Sequence, residues 1–137
     1  RVDVNHTGGQ WTAKFLFVAA NSWTAEQEAW LANQVTQPTT YTFIIRHEPA
    51  SATTAPGTTP SQNLVDANPY TLAIVGHTHT YERSGPREVI VGHGGAPLSS
   101  SVNYGYALVQ QLDNGDIRVD NIDYATGTSM DSFTVTP

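Results

Sequence analysis

The chain has 137 residues, with 12 acidic and 6 basic side chains and a formal net charge of -6. That balance provides no basic stripe for a nucleic-acid backbone and no attraction to an anionic membrane surface, so neither partner is expected. There is no cysteine, which removes disulfides and thiolate ligands and leaves histidine and oxygen donors for any transition-metal site.

The length fits one domain with a real core. No apolar run approaches the roughly 18 residues of a membrane span, and "RVDVNHTGGQ" lacks the charged-then-apolar order of a signal peptide, so the chain as given reads as soluble. A single lysine, Lys14, among many serines and threonines points to an exported protein, secreted or periplasmic. Asn5 to Thr7 match a glycosylation acceptor, which matters only in a secreted eukaryotic protein.

In chain order, "WTAKFLFVAAN" over 11–21 combines aromatic and aliphatic residues with little charge and predicts a mostly buried strand. Thr24 with Gln27 three positions on is a helix start, and the helix runs over 25–35, with Trp23, Trp30, Leu31 and Val35 as its apolar stripe and Pro38 as a stop. "YTFIIRH" is a strand that ends on His47, and "EPASATTAPGTTP" over 48–60 is loop. "SQNLVDA" predicts a short helix, and a second apolar strand over 71–75 leads into Gly76 and His77. Strand, loop with helix, strand is the grammar of a parallel crossover, so 41–46 and 71–75 should lie side by side. The tail reads as "REVIVG", "YGYALVQQL", "DIRVDNID" and "DSFTVT" strands, with "DNG" at 113–115 as a hairpin turn.

In "GHTHTYER" two histidines stand at i and i+2, which in extended backbone would face one way. Together with His47 at a neighbouring strand end, His77 and His79 would converge where open α/β sheets bind ligands, and imidazole is a common metal ligand. The plainer account is that each histidine is hydrogen-bonded in its own turn. The preceding glycine, the strand and the third histidine favour the metal.

"GHTHTYERS" resembles the last signature of the calcineurin-like metallophosphoesterases, closest to their purple acid phosphatase branch. "FIIRHEP" is similar to the preceding signature, "WTAEQEAWLANQV" to the helix before it, and "VIVGHGGAPL" to the glycine-rich turn that follows. The resemblance runs from about Phe15 to Val135. It implies an α/β fold, the C-terminal half of a β-sandwich flanked by helices, with a mixed sheet whose parallel strands are followed by antiparallel C-terminal strands. It also implies two metal ions, of zinc, manganese or iron, that activate water against a phosphate mono- or diester. His47 and His77 would bind one ion and His79 the other, with Tyr81, Glu82 and Arg83 orienting the histidines or meeting the phosphate.

The family's Asp-x-His, Gly-Asp and Gly-Asn-His motifs, which supply the bridging aspartate and most oxygen ligands, have no counterpart here. The expectation is therefore one incomplete domain over 1–137, lacking the N-terminal half. Alone it would bind at most one ion tightly and leave an apolar sheet face that seeks a partner, either the missing half or another copy. The rival reading is a noncatalytic β-rich binding module with one structural metal or none.

Several residues take plain readings. Tyr81, Glu82 and Arg83 equally suit a structural role with a Glu–Arg ion pair, His93 reads as a solvent-facing turn residue, and His6 as surface. Asp113, Asp116, Asp120 and Asp123 read as the wet face of a hairpin. Trp11, Trp23 and Trp30 read as core. Asp3, His6 and His93 are the next candidates if the three histidines prove insufficient.

Overall fold

Side-chain alternation in the first strands dictates a sheet buried on both faces. In β2 (Thr12–Val18), Lys14, Leu16 and Val18 turn one way, while Ala13, Phe15 and Phe17 turn the other. β3 (Tyr41–Arg46) and β4 (Leu72–Val75) repeat the pattern, with Tyr41, Phe43, Leu72 and Ile74 on the Phe15 side and Ile44 and Ala73 on the Leu16 side. A sheet with two apolar faces has to be covered twice. In the computed structural model, which describes residues 1–101 and 103–137, it is covered by helices on one side and by a second sheet on the other.

The main sheet has six strands in the order β1-β2-β3-β4-β6-β5, where β1 is Val2–Asn5, β5 Tyr81–Arg83 and β6 Glu88–Val91. β2, β3, β4 and β6 are parallel, and the two edge strands are antiparallel to their neighbours. Helices α1 (Ala25–Val35) and α2 (Thr58–Asp66) pack Leu31, Val35 and Val65 on Leu16, Val18, Ile44 and Ala73. The opposite face meets an antiparallel meander of β7 (Gly105–Gln111), β8 (Ile117–Asp123) and β9 (Ser129–Val135) through Ile117, Val119 and Val135. This is the α/β class expected, and β3 and β4 are parallel neighbours as the crossover pattern required.

Several local expectations change. β1 and β5 were not legible as strands; both are short, exposed edges whose order comes from one neighbour. β2 stops at Val18 and is followed by a 3-10 turn at Ala20–Ser22. α2 begins inside the supposed loop, because Pro60 falls in the first turn, where a missing N–H does no harm. Thr24 caps α1 by accepting from Gln27 N–H at 3.2 Å, but the Gln27 side chain turns away to Ala19 and Ser22. Asp120 and Asp123 are not on a wet face: they are 4% and 5% exposed. Asp120 accepts from Arg118 at 2.8 Å, and Asp123 closes the turn before β9 by accepting from Thr126. These hydrogen bonds, opposed by burial, hold both carboxyls below the ordinary aspartate value of 3.8.

Lys14 is fully buried on the helix side of β2, where its ammonium donates to the carbonyls of Gln34 (2.8 Å), Val35 (3.4 Å) and Gln37. A cation at a helix C-terminus satisfies carbonyls that have no intrahelical partner and opposes the negative end of the helix dipole. Burial, reinforced by Arg1, lowers its pKa. Replacing it with methionine keeps the apolar stem and leaves those carbonyls bare. Lys14→Met is expected to lower the unfolding free energy by about 2 kcal/mol in urea titration.

The aspartates give a signed pH dependence. A carboxyl whose folded pKa lies below its unfolded value of 3.8 contributes stability that is present above that value and lost as pH falls through the folded one. Unfolding free energy should therefore drop on acidification below about pH 4. The drop should be smaller in Asp120→Asn, measured by chemical denaturation at a series of pH values.

Candidate functional site

Parallel strands that stop side by side bring their end residues together, and here those residues are histidines. His47 directly follows β3. Gly76 follows β4 and donates its N–H to the His47 carbonyl at 2.8 Å, which sets His77 beside His47. The two exposed rings meet edge to face with centroids 5.3 Å apart, and His77 Nδ1 lies 3.4 Å from His47 Nε2. Two nitrogens bound to one zinc at about 2.0–2.1 Å in tetrahedral geometry are about 3.3–3.4 Å apart, so the pair already has the spacing of two corners of such a site.

The backbone reaches this arrangement by a route other than the extended one expected. His77 has φ of +66°, the only positive φ outside glycine among the described residues. Thr78 N–H donates to the Gly76 carbonyl at 2.8 Å, which closes a three-residue turn on His77. Thr80 N–H donates to the Thr78 carbonyl at 2.8 Å and closes a second such turn on His79. The two histidines are thus aimed separately. His77 meets His47, whereas the His79 ring faces the Pro97 carbonyl, with Nδ1 at 2.9 Å. A carbonyl can only accept, so the contact places a proton on Nδ1, and in the neutral ring the lone pair is then on Nε2, the arrangement of a metal-ligating histidine. Ser99 N–H, donating to the His79 carbonyl at 2.8 Å, fixes the same loop. Among the described residues no three His, Asp or Glu side chains gather as a metal-holding group.

The glycine-rich turn after β6 presses on this loop. Gly92 N–H donates to the Thr80 carbonyl at 2.8 Å, and a Cβ on Gly92 would lie 1.9 Å from the Thr78 carbonyl oxygen. Only glycine allows that approach. The neighbouring His93 is not solvent-facing but 2% exposed. Its Nε2 lies 2.8 Å from Asn121 Oδ1, its buried Nδ1 has no partner among the described residues, and a Cβ on Gly105 would be 2.6 Å from Nε2. The turn folds inward under the second sheet, which a glycine count does not reveal.

Tyr81 and Arg83 turn toward the second sheet. Tyr81 donates its hydroxyl to Asp131 Oδ2 at 2.9 Å, and Arg83 pairs with the same oxygen at 3.0 Å while its guanidinium lies 5.4 Å from the Phe133 ring centre. Burial, followed by the Asp131 bond, raises the Tyr81 pKa. The ion pair is thus Arg83–Asp131 rather than Glu82–Arg83, and Glu82 is exposed. His6 sits in the turn between β1 and β2, accepts from Gly8 N–H at 3.0 Å and leans on Trp11, while Asp3 pairs with Arg1 at 2.8 Å.

Sequence reasoning missed the ionic layer beneath His47. Arg46 is 4% exposed and donates to the Glu48 carbonyl (2.7 Å), Ser61 Oγ (2.9 Å) and Gln62 Oε1 (2.9 Å), with Glu88 Oε2 at 3.6 Å. Glu88 in turn accepts from Ala50 N–H at 3.0 Å and Ser84 Oγ at 2.7 Å. Arg46, just before His47, is therefore buried and tied down, while Glu48, just after it, is equally buried but engaged only through its backbone carbonyl. Burial lowers the Arg46 pKa, and Glu88 and Glu48 oppose the shift. An arginine at a helix-facing position of a buried strand demands acceptors, which was the available signal.

Neither a family model nor a curated protein matches the sequence. Among solved structures, purple acid phosphatase PPD1 from yellow lupin (Lupinus luteus) seeds matches with a TM-score of 0.72 over 90% of this chain, at 16% identity. The fold is that of part of a purple acid phosphatase. The chain spans 31% of the matched one. At this identity the likeness concerns the fold, and the histidine geometry stands on its own.

Two substitutions test the construction of the loop. His77→Gly should raise the unfolding free energy by about 1 kcal/mol, because glycine adopts positive φ without the steric penalty, whereas His77→Ala should give no such gain. Gly92→Ala should lower it by about 3 kcal/mol through collision with the Thr78 carbonyl. Urea denaturation checks both.

Proposed function

We propose that this chain is the histidine-bearing segment of a metal-dependent phosphoesterase, a hydrolase of phosphate mono- or diesters that uses two ions when complete. The observation that supports it most directly is the 3.4 Å separation of His77 Nδ1 and His47 Nε2 at the carboxyl ends of adjacent parallel strands. In this reading His47 and His77 hold one ion, and His79 offers Nε2 to the other, the ions being zinc, manganese or iron. Such ions supply positive charge to the phosphate oxygens and lower the pKa of a bound water. The protein's part is to present the lone pairs. Pro97 keeps the His79 proton on Nδ1, the turn at His77 holds that ring against His47, and the Arg46 layer anchors the strand end beneath. Tyr81 and Arg83 serve indirectly, by tying β5 to Asp131. The bridging carboxylate and remaining oxygen donors come, in this reading, from a companion segment outside the 137 residues, and the 31% coverage of the matched phosphatase leaves room for one.

The competing reading, a noncatalytic module with one structural ion or none, draws on the lack of a third donor near His47 and His77 among the described residues. Zinc titration by calorimetry separates the two. The pure chain is expected to bind a single ion weakly. The double change His77→Ala and His79→Ala should abolish that binding, and turnover of a chromogenic phosphate ester should stay near background. No zinc binding at all would sink the metal assignment, and brisk turnover by the pure chain would show that the oxygen donors lie within it.

A further inference from the structure

At the histidine end of the molecule the chain also builds a cleft that the metal site does not use. β6 runs parallel to β4, so Gly94 and Gly95, which follow it, emerge at the same sheet edge as the histidine loop. There they meet the start of β7 and the end of β8. Gly105 N–H donates to the His93 carbonyl at 3.1 Å, and Tyr124 N–H donates to the Tyr104 carbonyl at 2.9 Å. Gly94, Gly95, Tyr104, Gly105 and Tyr124 line a cleft of about 280 Å³. Pro97, whose carbonyl meets His79 Nδ1, is two residues beyond Gly95, a span of roughly 7 Å at full extension. The cleft therefore opens close to His79.

Two of its three glycines are required by the fold. Gly95 has φ of +154°, and a Cβ on Gly105 would lie 2.3 Å from the Ile122 carbonyl oxygen. Gly94 is under neither constraint: its φ is not in the left-handed region, and the nearest atom to a Cβ there would be the Gly105 carbonyl oxygen at 3.8 Å. A glycine that the backbone does not need keeps room for the close approach of something else. Tyr104 and Tyr124 are 44% and 78% exposed, and neither ring stacks on another among the described residues. The carboxyl beside them, Asp123, is buried and already accepts from Thr126 and from Ala125 N–H. Beyond the tyrosine hydroxyls, the cleft thus presents ring faces and bare peptide. Such a lining suits a planar aromatic ring, whereas a polyol would need partners for its hydroxyls.

We propose that this cleft binds a planar aromatic ring, and that the ring is the organic group of the phosphate ester. The first part stands on the cleft alone. The second rests on the phosphoesterase reading, in which the phosphate lies at the ions beside His79. A phenyl group and a nucleobase both offer the flat face that a tyrosine ring stacks on.

Titration of the 137-residue chain with phenol and with adenosine, followed by the NMR signals of Gly94, Tyr104 and Tyr124, is the test. Saturable shifts in roughly the millimolar range are expected, and the tighter ligand identifies which kind of ring is taken. Cyclohexanol, of similar size but not planar, should bind about tenfold more weakly than phenol. Gly94→Leu and Tyr124→Ala, each shown by circular dichroism to keep the fold, should lose the shifts, while Tyr106→Ala, at an exposed ring outside the cleft, should keep them. With zinc present, the phosphate ester of the bound ring, phenyl phosphate or adenosine monophosphate, should bind about tenfold more tightly than the ring alone, because two contacts share one molecule. His79→Ala should remove that gain and leave ring binding intact. No ring binding by the wild-type chain, or binding that survives both cleft variants, would overturn the site and leave the phosphoesterase reading standing. Ring binding with no gain from the phosphate would overturn the assignment to the ester and count against that reading, with the ring site still in place.

Discussion

Everything in this molecule follows from the parallel pairing of β2, β3, β4 and β6. Parallel strands need crossovers, crossovers carry helices to one face, and strands that all run the same way end together. The shared end is where His47 and His77 meet. The same pairing leaves a second apolar face, with Phe15, Phe43, Leu72 and Val89, that the helices cannot reach. The antiparallel meander covers part of it. Site and uncovered patch are thus two consequences of one strand arrangement.

Much of this was legible in the sequence because it depends on local signals. The apolar run to His47, the apolar run to Gly76, and Thr24 ahead of α1 each carry their meaning within a few residues. What escaped depends on neighbours distant in sequence. Val2 and Val4 are strand residues because Phe15 and Ala13 pair with them, and Asp120 is buried because the face it shares with Arg118 is partly covered by Ser129 and Ser132. Lys14 is a lone charge in an apolar strand with no legible partner until α1 is seen to end above it. His93 reads as a turn residue until the second sheet closes over it.

The histidine loop shows a different kind of limit. Identity and spacing singled out His77 and His79, yet the extended backbone assumed for them was wrong in geometry. Two successive three-residue turns send the rings to different partners. No pattern of residue types announces a positive φ at a histidine. The indirect clue lay sixteen positions from Gly76, at Gly92, whose missing side chain makes room for the Thr78 carbonyl. Gly92, on a separate loop, rather than the histidines themselves, encodes how tightly the loop is folded.

The second sheet also bears on how the chain reaches its fold. β7, β8 and β9 are consecutive and pair only with sequence neighbours, so their contacts close short loops. The parallel ladder instead joins β2 to β3 and β3 to β4 across intervening helices, and such non-local pairings form slowly. The meander is therefore the part of the fold built from the most local contacts. Tyr41, which donates to the Gly115 carbonyl in the β7–β8 turn, is a polar tie between this local sheet and the non-local one.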